Sequence, residues 1–182
     1  MKIAIVGSKP DTWHLVPELG PEWELWRFSR QNWMKPPKAH RWFELHHPSQ
    51  YGKYERVFPG YTQHIIDSRA VTYESFPWQR LLDEFGPYFF TGGQAPWIMA
   101  YAITLQPDTI GLWGINPIGS DYKPQRSEVQ HFVQIARDRG IEVIAPEDGI
   151  LENRPLYGLQ LTRGPWPDKL EGKHVRPYEF VK

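Results

Sequence analysis

The sequence predicts one Rossmann-like α/β domain in three layers, an open and mostly parallel sheet with helices on both faces. The chain has 182 residues, close to the size of one domain, and its 40% hydrophobic and 23% charged residues are typical of a globular protein. Short β-branched apolar runs alternate with amphipathic helical patterns. In the second half a strand, a helix and a strand follow within about 35 residues, as in a right-handed βαβ unit.

Three strands are predicted in the first half of the chain. The first is an apolar, β-branched run that stops at Gly7. Between the second and the third, Pro36 and Pro37 indicate a loop, because each proline removes a backbone donor. Residues 51–75 show a poor pattern, with one strand predicted near residues 63–66. The three strands are expected at residues 2–6, 23–27 and 41–45.

Helices and strands alternate more clearly in the second half. Residues 78–85 predict a short amphipathic helix that ends at Gly86, with Leu81, Leu82 and Phe85 facing inward. A turn at residues 91–96 leads into a buried helix, whose first turn tolerates Pro96. This helix is expected at residues 97–103, and the strands of the second half at residues 109–115 and 141–145.

A capping box is predicted at the start of the last helix. Ser127 and Gln130 have the S-x-x-Q spacing, and Gly140 ends the pattern. Apolar residues recur at i, i+3, i+4 and i+7, which defines one buried face. The residues of this face are Val129, Phe132, Val133 and Ala136.

The composition excludes several classes of function. Basic and acidic residues number 21 each. This balance argues against binding of duplex nucleic acid, because a protein that binds a duplex needs a basic face to neutralise the phosphates. No apolar run approaches the roughly 18 residues of a membrane span, and no leader peptide is recognised, so no membrane partner and a cytoplasmic location are expected. The absence of cysteine removes disulfides and thiolate chemistry.

The organisation expected is one domain over residues 1–160 followed by an extended tail over residues 161–182. The tail is rich in proline and basic residues and has no helical or strand period. The tail either packs across the body of the domain or bridges to a second subunit. The formation of a homo-oligomer is therefore one of the open alternatives.

Ligands of open α/β sheets bind beyond the carboxyl ends of the strands. The first such turn contains Gly7, Ser8 and Lys9, which offer backbone N–H groups, a hydroxyl and an ammonium to a phosphate. A simple tight turn explains the glycine equally well. The turn formed by Thr91, Gly92 and Gly93 is a second candidate. Its glycines either let a ligand approach N–H groups at a helix start or let neighbouring elements pack closely.

The loop after the strongest strand holds further polar candidates. Asn116 suits a sugar hydroxyl or a base edge, and Asp121 and Tyr122 follow within the same loop. Arg126 either pairs with a ligand phosphate or forms a surface pair with Glu128.

His46 and His47 follow the third strand. Adjacent histidines on a strand point to opposite faces and do not share one ion unless the chain turns, so no metal site is predicted. His46 is instead a candidate acid, base or ligand contact, with an exposed loop histidine as the alternative. Whether the chain uses a cofactor stays open at this point.

These loops carry a resemblance to a known group. The stretch Gly7-Ser8-Lys9-Pro10, with residues 23–32 and 41–46, resembles an uncharacterised group of small Rossmann-like proteins common in tailed-phage genomes. Further stretches that fit the same group are residues 89–93, 110–116, 125–126, 139–141 and 156–158. More distantly, the layout is similar to 6-hydroxymethylpterin diphosphokinase-like proteins, which bind ATP, and to bacterial sialyltransferases, which bind a CMP-sugar.

The resemblance implies that the chain binds a nucleotide, a nucleotide sugar or a related derivative, and it leaves open transfer chemistry on a phosphorylated ligand. If a phage encodes the chain, its place is the cytoplasm of the host cell. The residues that the resemblance implies for the site are Gly7, Ser8, Pro10, Asn32, residues 91–93 and Asn116.

Two alternatives belong to other classes of protein. Non-catalytic capture of a host nucleotide signal is favoured by Asn116, which stands where the pattern usually has an acidic residue. A structural or partner-binding phage protein is favoured by the aromatic content, nine residues each of Trp, Tyr and Phe. Trp13 and Trp33 follow the first two polar turns and are candidates for stacking on a base.

Overall fold

The structure is a computed structural model of the chain. It describes residues 1–7, 16, 18–28, 39–57, 59–61, 70–115 and 123–146. The chain divides into Met1–Leu151 and Glu152–Lys182, and all described residues belong to the first of these units.

Six strands form one sheet in which every pair of neighbours is parallel. The spatial order is β4-β3-β2-β1-β5-β6. The sheet confirms the predicted α/β class and is parallel throughout the described strands, where a mostly parallel one was expected. The bounds of the strands are Lys2–Val6 (β1), Trp23–Phe28 (β2), Arg41–Glu44 (β3), Ala70–Thr72 (β4), Thr109–Trp113 (β5) and Glu142–Ile144 (β6).

Four α-helices lie within the described ranges, together with one 3-10 turn at Pro48–Gln50 that directly precedes the first of them. The second, third and fourth helices pack on the same face of the sheet, through one hydrophobic core. The bounds of the helices are Tyr51–Val57 (α1), Trp78–Phe85 (α2), Gln94–Thr104 (α3) and Lys123–Asp138 (α4).

The sheet reverses its direction of growth between β1 and β5. The first four strands are added outward from β1, and β5 then returns to the other side of β1. At this switch point the Gly7 N–H donates to the carbonyl of Trp113 at 2.8 Å. A Cβ atom on Gly7 would lie 2.4 Å from the Gly114 carbonyl oxygen, so only glycine fits there.

Alternate residues of the strands separate two apolar layers, as the period of a β-strand requires. Ile3, Ile5 and Trp26 face the core formed with α2, α3 and α4. On the opposite face Ala4 and Val6 pack with Leu25 and Trp113, and among the described residues Val16 and Leu19 cover them.

Most of the predicted elements are confirmed, with bounds that are identical or differ by up to three residues. In α2 Leu81 is fully buried, Leu82 and Phe85 pack against the core, and Gly86 ends the helix with a φ of 74°. The predicted buried face of α4 is confirmed by Val129, Phe132, Val133 and Ala136, of which none is more than 3% exposed.

The predicted capping box is wrong. Helix α4 begins at Lys123, so Ser127 lies inside the helix and not at its N-cap. Pro124 is compatible with this earlier start, since the first turn leaves its N–H groups without helical partners in any case.

Two elements were missed in residues 51–75, namely α1 and the edge strand β4. The strand predicted near residues 63–66 and the tail over residues 161–182 lie outside the described residues. Within the described part of the chain, no helix is both long and apolar enough to cross a bilayer.

Candidate functional site

A cavity of about 360 Å³ opens at the carboxyl edge of the sheet, beside the end of β3. Its wall combines the end of β3, the start of α2, the loop that enters α3 and the first turns of α3 and α4. Ligands of open α/β sheets bind at this edge, so the position agrees with the rule used above. The lining residues are Leu45, His46, His47, Gln50, Trp78, Phe90, Thr91, Gly93, Gln94, Trp97 and Gln125.

Glu44, the last residue of β3, is a buried carboxylate with no exposed surface. Its Oε1 accepts the backbone N–H of His46 at 3.1 Å and contacts Nδ1 of the His46 ring. Its Oε2 accepts the hydroxyl of Tyr61. A carboxylate buried in this way is stable only when such donors replace water.

The His46 ring lies between Glu44 and the cavity, with 27% of its side chain exposed. Tyr54 packs against it, with ring centroids 4.7 Å apart. From the start of α3, the Gln94 side-chain nitrogen approaches Nδ1 at 3.1 Å and Nε2 at 3.3 Å. The Gln94 oxygen accepts the N–H of Leu45 at 3.3 Å, and this bond joins α3 to the end of β3.

Burial and the neighbouring carboxylate raise the pKa of the tyrosines around Glu44. Burial, the hydrogen bond to Glu44 and its charge all raise the pKa of Tyr61 far above its usual range. Burial and the charges of Glu44 and Glu74 raise the pKa of Tyr51 to about 12. Tyr61 therefore stays protonated at neutral pH and donates to Glu44.

Aromatic rings form the apolar wall of the cavity. Phe90 stacks on Trp97 with centroids 3.8 Å apart, and Trp78 meets Trp97 edge-on at 4.7 Å. Both tryptophans are partly exposed, because they pack against the core on one side and line the cavity on the other. Such rings offer apolar surface on which the flat base of a nucleotide can pack.

The loop before α3 is held by a carboxylate of the protein itself. Glu128, which is 4% exposed, accepts the Thr91 N–H at 2.9 Å and the Thr91 hydroxyl at 2.6 Å. It also accepts the Gly92 N–H at 2.7 Å. The backbone N–H groups of Thr91 and Gly92, which were predicted to face a ligand, therefore donate to Glu128 instead.

Close packing explains Gly92. A Cβ atom there would lie 2.5 Å from the Gln125 nitrogen and 2.6 Å from the Glu128 Oε2. Of the two interpretations of this turn, packing against α4 therefore accounts for Gly92. Gly93 has a φ of 139° and lines the cavity.

The structure brings three of the predicted site residues together around the cavity, namely His46, Thr91 and Gly93. Gly7 lies at the end of β1, two strands away from β3. Arg126 is not a surface residue, since it is 6% exposed within α4. The remaining predicted residues lie outside the described ranges: Ser8, Lys9, Asn32, Asn116, Asp121 and Tyr122, with Trp13 and Trp33.

His46 and His47 have separate surroundings. His47 is exposed, and its Nδ1 lies 3.2 Å from the Ser49 nitrogen and 2.7 Å from the Ser49 hydroxyl. The described residues contain no group of three histidine or acidic side chains placed to hold a metal ion.

Sequence reasoning missed the carboxylates and the rings that build this site. Glu44 was assigned to a strand and the loop after it, and Glu128 to a surface pair with Arg126. The signal for Glu44 was a carboxylate that follows two aromatic residues of a strand and lies two residues before His46. For Trp78 and Trp97, nothing in the sequence distinguishes a residue that lines a cavity from one that is buried in the core.

Protein-family models, curated proteins and solved structures were compared with the chain, and none of them matches. The resemblance to tailed-phage Rossmann-like proteins therefore stays a prediction.

Proposed function

We propose that the chain binds a nucleotide or a nucleotide derivative at the carboxyl edge of its sheet, with the nucleoside part in the cavity beside β3. The observation that carries the proposal is the lining of this cavity. The lining combines the aromatic rings of Trp78, Phe90 and Trp97 with amide and imidazole side chains. This combination suits a flat heterocycle with a polar edge.

The charge of the lining favours the nucleoside over the phosphate groups. The described lining contains no lysine or arginine. Glu128 already accepts the N–H groups of Thr91 and Gly92, which would otherwise suit an anion. The phosphate groups are therefore assigned to the first turn, at Gly7 to Lys9. The end of β1 lies two strands, or about 10 Å, along the same edge.

Capture without turnover was favoured by Asn116, which stands where a catalyst would need a carboxylate as its acid or base. Glu44 and His46 supply such a pair elsewhere, beside the cavity. The argument for capture therefore loses its main support, and ligand binding is the part of the function that transfer and capture share.

Thermal unfolding with a panel of ATP, CMP, UDP-sugars, NAD and ADP-ribose tests the proposal. A ligand at 100 times its Kd adds about 2.7 kcal/mol to the free energy of unfolding, which raises the Tm of a domain of this size by about 5 to 11 °C. No shift with any member of the panel at millimolar concentration contradicts the proposal.

A pair of glutamine variants on α4 then locates the site. Gln125→Ala removes a polar group from the cavity wall, and we expect it to weaken binding about 2- to 10-fold. Gln134→Ala is the matched control, since Gln134 is exposed on the same helix and outside the lining. Equal affinities of the two variants would place the ligand elsewhere.

A further inference from the structure

We propose that Glu44 fixes the His46 ring so that its Nε2 accepts a hydrogen bond from a sugar hydroxyl of the bound ligand, and thereby selects ribonucleotides over their deoxy forms. The inference rests on the proposed function, because the hydroxyl belongs to the nucleotide in the cavity. Glu44 is a positioning residue in this arrangement, and His46 is the group that touches the ligand.

The first step concerns the proton of the ring. A carboxylate has no hydrogen to donate, so the contact between Glu44 Oε1 and His46 Nδ1 requires the proton to be on Nδ1. Tyr61 donates to the other oxygen of the same carboxylate, and the raised pKa of Tyr61 keeps that donor protonated. Neutral His46 therefore carries its proton on Nδ1 and a lone pair on Nε2.

The second step concerns what Nε2 meets. His46 lines the cavity, and Nε2 is the ring nitrogen that does not contact Glu44. Among the described residues, the donor near the ring nitrogens is the Gln94 amide, whose nitrogen lies 3.1 Å from Nδ1 and 3.3 Å from Nε2. Because these two distances are nearly equal, the amide lies over the face of the ring and not along the lone pair of Nε2. A hydroxyl group at about 2.7 to 2.8 Å would form a shorter bond to the same lone pair.

The third step identifies the donor. Nε2 of this tautomer only accepts, so it requires a group that donates. Every ribonucleotide offers sugar hydroxyls, whichever base it carries, and the 2′-hydroxyl distinguishes ribose from deoxyribose. A polar site that loses its partner discriminates strongly against the analogue that lacks it.

The neighbouring histidine provides an internal reference. The Ser49 N–H donates to Nδ1 of His47, which requires the opposite tautomer, with the proton on Nε2. The two adjacent rings should therefore differ in the nitrogen that carries the proton.

Nitrogen-15 NMR of the full chain with labelled histidine tests the tautomers. We expect the proton on Nδ1 of His46 and on Nε2 of His47, with the His46 signals assigned by their loss in His46→Phe. Glu44→Met removes the acceptor and should abolish the preference, whereas Glu44→Gln retains an acceptor oxygen and should preserve it. Should Glu44→Met fail to fold, the wild-type spectrum still decides. A proton on Nε2 of His46 in the wild type overturns the proposal.

Binding of deoxynucleotides tests the selection. The nucleotide of the panel that gives the largest thermal shift is compared with its 2′-deoxy and 3′-deoxy forms. One of these forms should bind about 5- to 100-fold more weakly to the wild type. His46→Phe should reduce that ratio to about one. His131→Phe, which changes a histidine outside the cavity lining, should leave it unchanged.

The two proposals fail in different ways. Equal binding of the ribose and both deoxy forms overturns the inference and leaves the proposed function intact. Absence of binding by the whole panel overturns the proposed function. In that case the nitrogen-15 spectrum still tests the arrangement of His46, because it shows whether Nε2 is free of a proton and can accept a hydrogen bond.

Discussion

Gly92 lies where the loop before α3 approaches α4 most closely. A Cβ atom at this position would lie 2.6 Å from the Gln125 Cα, which is a backbone atom that cannot rotate away. Its N–H donates to Glu128 at 2.7 Å, so a shift of the loop would also lengthen that bond. The packing and the hydrogen bonding of this residue are therefore coupled.

Gly92→Ala should lower the free energy of unfolding by about 1 to 3 kcal/mol, because the methyl group forces the loop and α4 apart. Urea unfolding measures the change. Gly52→Ala is the matched control: Gly52 lies in α1, and a Cβ there would meet nothing within 4 Å. This control should be stabilised by about 0.5 to 1 kcal/mol. Equal effects of the two substitutions would contradict the proposed clash.

The roles of single residues were the part of this protein least predictable from its sequence. His46 was recognised as a candidate because it follows a strand, but Tyr61, which donates to its partner Glu44, lies 17 residues after Glu44. Glu128 binds residues that precede it by more than 30 positions. Spacing rules describe neighbours within one element, and contacts of this range depend on how the elements are arranged in space.

At the scale of elements, Glu128 connects α4 with the start of α3. Its carboxylate accepts three hydrogen bonds from the Thr91 and Gly92 pair, and it is 4% exposed. Hydrogen bonds to an ionised group are the stronger kind, particularly away from water. The same loop forms one wall of the cavity, so this carboxylate also holds the candidate site in shape.

Glu128→Gln should lower the free energy of unfolding by about 1 to 3 kcal/mol. The new amide group can accept from Thr91, but its NH₂ faces the Gly92 N–H, and two donors do not bond. The Gly92 amide should also exchange its hydrogen faster. Glu84→Gln makes the same change in a partly exposed pair with Arg139 and should cost about 0 to 1 kcal/mol. A loss at Glu128 no larger than at Glu84 would argue against the connection.

Elements with a strong local pattern were predicted well. The β-branched run of β1 and the apolar face of α4 each carry a period that only one type of element satisfies. Strand β4 has three residues, and α1 has seven, which is too short for a period to stand out. The start of α4 was misplaced because the S-x-x-Q spacing of Ser127 and Gln130 lies within the helix, which begins four residues earlier at Lys123.

At the scale of the whole molecule, the order of the strands determines which loops share an edge. Parallel strands place all their carboxyl ends on one side, so the ends of β1, β3 and β5 lie along a single edge. The rule for open α/β sheets points to this edge, and the cavity beside β3 opens there. It did not indicate that a cavity lies beside β3, because the walls come from α2, α3 and α4.

The dependence of stability on pH is a property of the whole molecule to which His131 contributes. This histidine of α4 stacks on Phe89, with ring centroids 3.6 Å apart and planes inclined by 15°. Burial holds the pKa of His131 below its usual range, because the charged form loses water. The folded chain therefore takes up this proton at a lower pH than the unfolded chain does.

Stability should consequently fall as the pH drops below about 6.5, where unfolded chains bind the proton more readily. His131→Phe keeps a ring against Phe89 and removes the titrating group. We expect the stability of the wild type relative to this variant to be highest near pH 8 and to decrease toward about pH 5. Urea unfolding at a series of pH values measures the difference, in which the contributions of the other histidines cancel. A constant difference across this range would mean that His131 binds its proton equally well in the folded and unfolded chains.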